Sequence, residues 1–233
     1  MRLTWYGHSA FRVEFGGTAL LIDPFLSGNP TWDGGWEGPA EGISHVLLTH
    51  GHDDHFGDTM DIVKATGAEV VGGFEVCTYC GTQGAEKVNP GAHGGTVDCG
   101  AFTVTFVNAL HSSSKGVADG WVYMGNPLGL IITPKEGGKR LYHLGDTGIF
   151  GDMKLIDTLY APQVGLVPIG DRFTMGAREA AHACRHFFNF DTIVPTHYGT
   201  FGLLDADAEK FRGELGDLAG RLTVPARGEA FEV

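Results

Sequence analysis

A layered α/β fold in one domain is predicted by three features of the chain. Short apolar, β-branched runs recur along it, a strand–helix–strand passage lies between Val46 and Gly72, and several runs end in glycine-rich turns that carry His or Asp. At 233 residues the chain is long enough for one well-packed core, with room for two similar halves.

Taken in order, Leu3–Tyr6 and Ala10–Phe15 read as strands, the second with Phe11, Val13 and Phe15 alternating onto one face. Gly16-Gly17 makes a hairpin turn. Ala19–Ile22 is a third strand, stopped by Asp23-Pro24, where the proline is expected to hold Asp23 extended. Phe25–Gly42 is a long loop rich in Gly, Pro and Trp. It reads either as a lid or substrate wall, or as an oligomer contact that buries Trp32 and Trp36. Val46–Thr49 is a short buried strand. Asp58 caps a helix over Thr59–Thr66, Gly67 stops it, and Glu69–Gly72 is the next strand. Asn89-Pro90-Gly91 reads as a turn before strand character resumes at Val97 and Phe102–Val107. Leu128–Thr133 and Arg140–Leu144 pair across Gly137-Gly138. The remainder reads as a helix over Gly151–Tyr160, a buried strand over Val164–Ile169, a helix over Gly176–Phe188 capped by Thr174, a strand at Ile193–Pro195 and an amphipathic helix over Asp207–Ala219.

The 37 glycines imply many tight turns and close backbone approaches. A formal net charge of −12 argues against tight binding to nucleic-acid phosphates. No apolar run reaches the roughly eighteen residues that a membrane helix needs. Met1–His8 lacks the apolar core of a secretory signal, so a cytoplasmic protein is expected. The four cysteines, Cys77, Cys80, Cys99 and Cys184, include one C-x-x-C with no second pair at zinc-finger spacing. In a reducing cytosol they read as free thiols, and Cys77 and Cys80 share a helix face on which they can pack.

The chemistry concentrates at Thr49-His50-Gly51-His52-Asp53-Asp54-His55. His50, His52, Asp54 and His55 are all strong metal ligands, and Val46-Leu47-Leu48 leads into them. Unpaired, so many polar groups beside a core strand would each cost a few kcal/mol, and a metal satisfies them together. Residues two apart on an extended chain point the same way, so His50 and His52 can grip one ion. Asp54 and His55 sit further round and could hold a second beside it. A closed structural zinc site would favour cysteine ligands instead. Further ligand types follow other strands: His111, Asp146 in Gly145-Asp146-Thr147-Gly148, and His197 in Thr196-His197-Tyr198-Gly199. His8 lies in a Gly-His-Ser loop. A lone histidine after a strand is ordinarily satisfied by a backbone carbonyl, but ligands converging from several strand ends make a catalytic site on a layered frame.

His50-x-His52-x-Asp54-His55 resembles the signature of the metallo-β-lactamase superfamily, and Asp23, His111, Asp146 and His197 are similar to its other motifs, in its order. Gly7-His8-Ser9, His93-Gly94-Gly95, His111-Ser112-Ser113, Pro168-Ile169-Gly170-Asp171 and Phe173-Thr174-Met175-Gly176 resemble one branch: uncharacterised bacterial metal-dependent hydrolases related to ascorbate-6-phosphate lactonase. The resemblance implies an αββα four-layer sandwich spanning the chain. It implies two divalent ions, zinc with manganese or iron as alternatives. His50, His52 and His111 would hold one, Asp54, His55 and His197 the other, and Asp146 would bridge them. Asp23 would orient a ligand histidine from behind. Asp146 stands where antibiotic-hydrolysing members commonly carry cysteine, which argues against β-lactam hydrolysis. The di-iron oxygen-reducing members replace the second histidine by glutamate and add a flavin domain, so His52 and the short chain argue against that chemistry.

The resulting expectation is a two-metal-activated hydroxide attacking a small, polar ester, lactone or phosphate ester, with Asp54 as proton acceptor and His8, Asp171 and Thr174 as candidates for substrate contact or proton delivery. Two alternatives stay open: a redox or thiol-processing enzyme using Cys77 and Cys80, and a metal-binding scaffold without catalysis. The expected partner is a small molecule, without nucleic acid or membrane, and homo-oligomerisation stays open.

Overall fold

A computed structural model describes every residue from Met1 to Val233. The strands and helices, in chain order, are β1 (Arg2–Trp5), β2 (Phe11–Phe15), β3 (Thr18–Ile22), β4 (His45–Leu47), α1 (Asp53–Phe56), α2 (Thr59–Thr66), β5 (Glu69–Gly73), α3 (Phe74–Thr82), β6 (Val88–Gly91), β7 (Thr96–Asp98), β8 (Phe102–Asn108), β9 (Ser114–Val117), β10 (Gly120–Tyr123), β11 (Leu128–Pro134), β12 (Leu141–His143), α4 (Met153–Tyr160), β13 (Val164–Pro168), α5 (Ala177–His186), β14 (Thr192–Thr196), α6 (Glu209–Leu215) and β15 (Ala230–Glu232).

They form two mixed sheets. The first runs β15-β1-β2-β3-β4-β5-β6 and the second β14-β13-β12-β11-β8-β7. From β3 to β6 the first sheet is parallel, and β12, β13 and β14 are parallel in the second. Strand alternation divides the first sheet's apolar residues between two cores. Leu20, Ile22, Leu47 and Val71 join one large core with the second sheet and α4, α5 and α6. Leu21, Val46 and Val70 join a smaller core with α2 and α3. The order is therefore helix, sheet, sheet, helix, as the resemblance implied. No helix is long and apolar enough to cross a membrane.

Several local expectations are corrected. Asn89-Pro90-Gly91 is no turn: it lies in β6, an edge strand parallel to β5, where a proline costs no interior ladder bond. Gly91 is needed there, because a Cβ would stand 2.0 Å from the Phe106 ring. Asp23 is not extended but left-handed, with φ of 44°. Asp58 is the N-cap of α2 as expected, its carbonyl accepting Ile62 N–H at 3.0 Å, but its carboxylate makes no cap bond: it accepts the Leu26 and Ser27 N–H groups at 2.9 and 2.8 Å and pins the long loop instead. Trp32 and Trp36, both half-buried, pack on the chain's own smaller core, Trp32 edge-on to Tyr6 at 4.9 Å, which overturns neither reading of the long loop. Thr174 does not cap α5, whose N-cap is Gly176; its hydroxyl donates to the Met175 carbonyl. The closing helix stops at Leu215 and continues as a 3-10 turn. The hairpin β9–β10 and the edge strand β15 were not anticipated, although Asp119-Gly120 is a hairpin-turn dipeptide.

Phe106 is fully buried between the sheets. Phe106→Ala should therefore cost about 3–5 kcal/mol of stability, read as a lower urea midpoint with the far-UV spectrum unchanged.

Candidate metal centre

The ends of β4, β8, β12 and β14, with the β1–β2 loop, meet at one edge of the sandwich. The backbone arranges this meeting directly. Asp23 N–H donates to the Leu47 carbonyl at 3.0 Å, carrying the parallel pairing of β3 and β4 into their loops, and His197 N–H donates to the His8 carbonyl at 3.0 Å. Gly51 is required in the ligand turn because a Cβ would lie 2.4 Å from the Met124 side chain, and Gly170 because a Cβ would lie 1.9 Å from the His197 carbonyl oxygen.

Two groups of donors result. His50, His52 and His111 form one, and His8, Asp54, His55 and His197 the other, with ligand atoms within 4.8 Å of one another in each. Asp146 stands between them: Oδ2 lies 2.9 Å from His197 Nε2 and 3.6 Å from His111 Nε2, and Oδ1 lies 3.3 Å from His55 Nε2. All seven expected ligands are therefore brought together.

Behind them is a second layer of contacts. Asp23, fully buried, accepts Thr49 N–H at 2.8 Å, the Thr49 hydroxyl at 2.6 Å and His55 Nδ1 at 2.8 Å. Thr49 Oγ1 also lies 3.0 Å from His50 Nδ1. His8 Nε2 lies 3.2 Å from Asp54 Oδ2, and its Nδ1 lies 3.0 Å from Thr200 Oγ1. A carboxylate only accepts, so the neutral ring carries its proton on Nε2 and takes the Thr200 hydroxyl proton on Nδ1. Thr49, Thr200 and His143 were missed by sequence reasoning. His143 accepts Gly145 N–H at 3.0 Å and donates to the Ser9 carbonyl at 3.1 Å, tying the His8 loop to the Asp146 turn. Its only sequence signal was its place three residues before Asp146.

The donor set fits a divalent ion. His55 Nε2 and Asp146 Oδ1 are buried with no hydrogen-bond partner, an expensive state that a cation relieves. His50 Nε2 and His52 Nδ1 face each other at 3.0 Å. Burial, then His55, pushes His50 well below its ordinary pKa, and burial, then His197, pushes His8 down to about 4. Burial opposes charge on Asp146, but His197 and His55 outweigh it and hold its carboxyl well below the usual range. Burial opposes it on Asp54 too, and there the His8 hydrogen bond and His55 outweigh it, lowering the pKa. Neutral imidazoles beside ionised carboxylates are the forms a metal takes. His55 differs: burial opposes its charge, yet Asp146 and Asp23 raise its pKa well above the ordinary value, and an ion beside it would take the proton's place.

Asp171 and Thr174 are not part of this cluster. Asp171 is exposed at the start of α5, its carboxylate near Gly176, and Thr174 bonds within the same turn. Cys77 and Cys80 are fully buried in the smaller core, and burial pushes both thiols up to about 12.

The profile of the beta-lactamase superfamily domain matches residues 2–197. A UPF0173 metal-dependent hydrolase of Chelativorans sp. is 58% identical over 236 residues, across 100% of both chains. Another, of Mesorhizobium japonicum, is 56% identical over 236 residues, also across 100% of both. Among solved structures, Igni18, a metallo hydrolase from the archaeon Ignicoccus hospitalis, superposes with a TM-score of 0.86 at 34% identity, over 100% of this chain and 98% of its own. An isothiocyanate hydrolase from Delia radicum gut bacteria superposes with a TM-score of 0.76 at 20% identity, over 100% and 99%, a likeness of fold.

Asp23→Asn keeps the side chain's shape but loses an acceptor for His55, and should weaken metal affinity by about 10–100-fold in chelator competition. Unchanged affinity would remove Asp23 from the support of the centre. The thiols give a pH test: with Cys77 and Cys80 pushed up to about 12, neither should react with a thiol reagent at about pH 8, where a free cysteine already ionises, until denaturant is added.

Proposed function

The chain belongs to the metallo-β-lactamase superfamily, among its UPF0173 metal-dependent hydrolases, and on that premise we propose that it hydrolyses a small ester, lactone or phosphate ester with two divalent ions, zinc foremost. The observation that carries this reading is Asp146, whose two oxygens face members of both donor groups. In it, His50, His52 and His111 would hold one ion, Asp54, His55 and His197 would hold the other, and Asp146 would serve both. Such ions polarise the electrophilic oxygen and lower the pKa of water toward neutrality.

The side chains do the rest. Asp54 accepts the nucleophile's proton and fixes its line of approach. His8, closed off from solvent, donates from Nε2 to Asp54 and holds the carboxylate's aim, with Thr200 fixing the other face of the ring. Asp23 and Thr49 lock His55 and His50 from behind. Substrates are small molecules, since a net charge of −12 repels nucleic acid. Free, buried cysteines suit a reducing, cytoplasmic setting. The buried positions of Cys77 and Cys80 offer no support to thiol chemistry.

His52→Ala and Asp146→Ala should each lower bound metal, measured by elemental analysis, and abolish turnover of generic lactones and phosphodiesters. His8→Ala should keep its metal and slow turnover by about 100-fold. Full activity after chelation and gel filtration would contradict the proposal.

A further inference from the structure

A cleft of about 580 Å³ opens beside the centre, lined by His52, Asp53 and Asp54 of the ligand turn and by Phe25, Phe201 and Trp121. We propose that this cleft is a substrate subsite for an uncharged aromatic substituent, so that the substrates are aryl-bearing esters or lactones and not small polar ones. This rests on the hydrolytic reading above.

The three aromatic residues reach the cleft from separate segments: the loop after β3, the loop after β14, and the β9–β10 hairpin. Phe25 and Phe201 lie 6.3 Å apart, and their rings stand 5.9 and 5.5 Å from His8, the residue that holds Asp54. Trp121 is 74% exposed and Phe201 39%. Aromatic surface left to water next to a reactive centre marks a binding site more than it serves the fold. Gly116 lies opposite Trp121 in the hairpin, and a Cβ there would stand 3.0 Å from Asp53 Oδ2 and 3.6 Å from the indole. The glycine thus lets the indole lie against the ligand turn.

The lining selects the occupant. No lysine or arginine lines the cleft. The nearby Lys115 is held by Asp53 at 2.5 Å and lies over the Phe56 ring at 4.6 Å, so it offers no free cation to an anionic group carried on the ring. A neutral ring gains aromatic faces on several sides.

Two measurements on metal-loaded protein test this. The first is binding of phenylacetamide by saturation-transfer NMR, with acetamide as the control that lacks the ring. Phenylacetamide should bind, weaken about tenfold in Trp121→Ala and recover in Trp121→Phe, with metal content unchanged, and acetamide should bind more weakly. Equal binding to wild type and Trp121→Ala, or equal binding of acetamide, overturns the subsite. The second compares 5-phenyl with 5-methyl γ-lactones. The phenyl compound should show about tenfold higher kcat/KM, and Trp121→Ala should erase that preference through KM. Turnover without an aryl preference overturns the subsite. Failure to turn over any ester or lactone, alongside Trp121-dependent phenylacetamide binding, strikes the hydrolytic reading and leaves the aromatic subsite standing.

Discussion

A carboxylate with no exposure to solvent, that of Asp23, governs how the centre is assembled. It accepts from Thr49 N–H, the Thr49 hydroxyl and His55 Nδ1. A buried charge is tolerable only with such a full complement of donors. Those bonds join the end of β3 to the turn after β4, fix which His55 nitrogen faces Asp146, and through Thr49 steady His50. Without them the parallel strands would still pair, but the imidazoles would have no fixed bearing.

Topology supplies the other requirement. Parallel strands end at the same edge, so β12, β13 and β14 bring the Asp146 turn, Gly170 and His197 side by side, while β3 and β4 do the same for Asp23 and His50. The two sheets then face each other across the large core, and the donors from one meet those from the other. Gly170, with no side chain, lets the His197 backbone approach.

Much of this was legible in the sequence because metal chemistry is carried by few residue types at tight spacing. His50, His52, Asp54 and His55 declare themselves in six residues, and the strand-end positions of His111, Asp146 and His197 follow from apolar runs and glycine turns. The illegible parts depend on contacts far apart in the chain. Asn89-Pro90-Gly91 has turn composition, yet β5 recruits it as an edge strand because Gly91 admits the Phe106 ring. Local propensity reads Asp23-Pro24 as extended, but the pull of Thr49 and His55 on the Asp23 carboxylate overrides it. Thr200 and His143 look like ordinary residues until the fold sets His8 and Ser9 against them. Asp171 and Thr174, singled out by motif, serve the turn before α5.

His8, Asp23 and His197 share one further property: all have left-handed backbones, with φ of 52°, 44° and 57°. Each such non-glycine residue costs on the order of 1 kcal/mol. Glycine would adopt the same conformation freely. At His8 and His197, however, glycine would empty a buried site and strip Asp54 and Asp146 of an imidazole partner each, a larger loss than the strain relieved. The strained backbone is therefore held in place by the same side chains that build the centre, and these loops have no cheaper sequence that keeps the carboxylates paired.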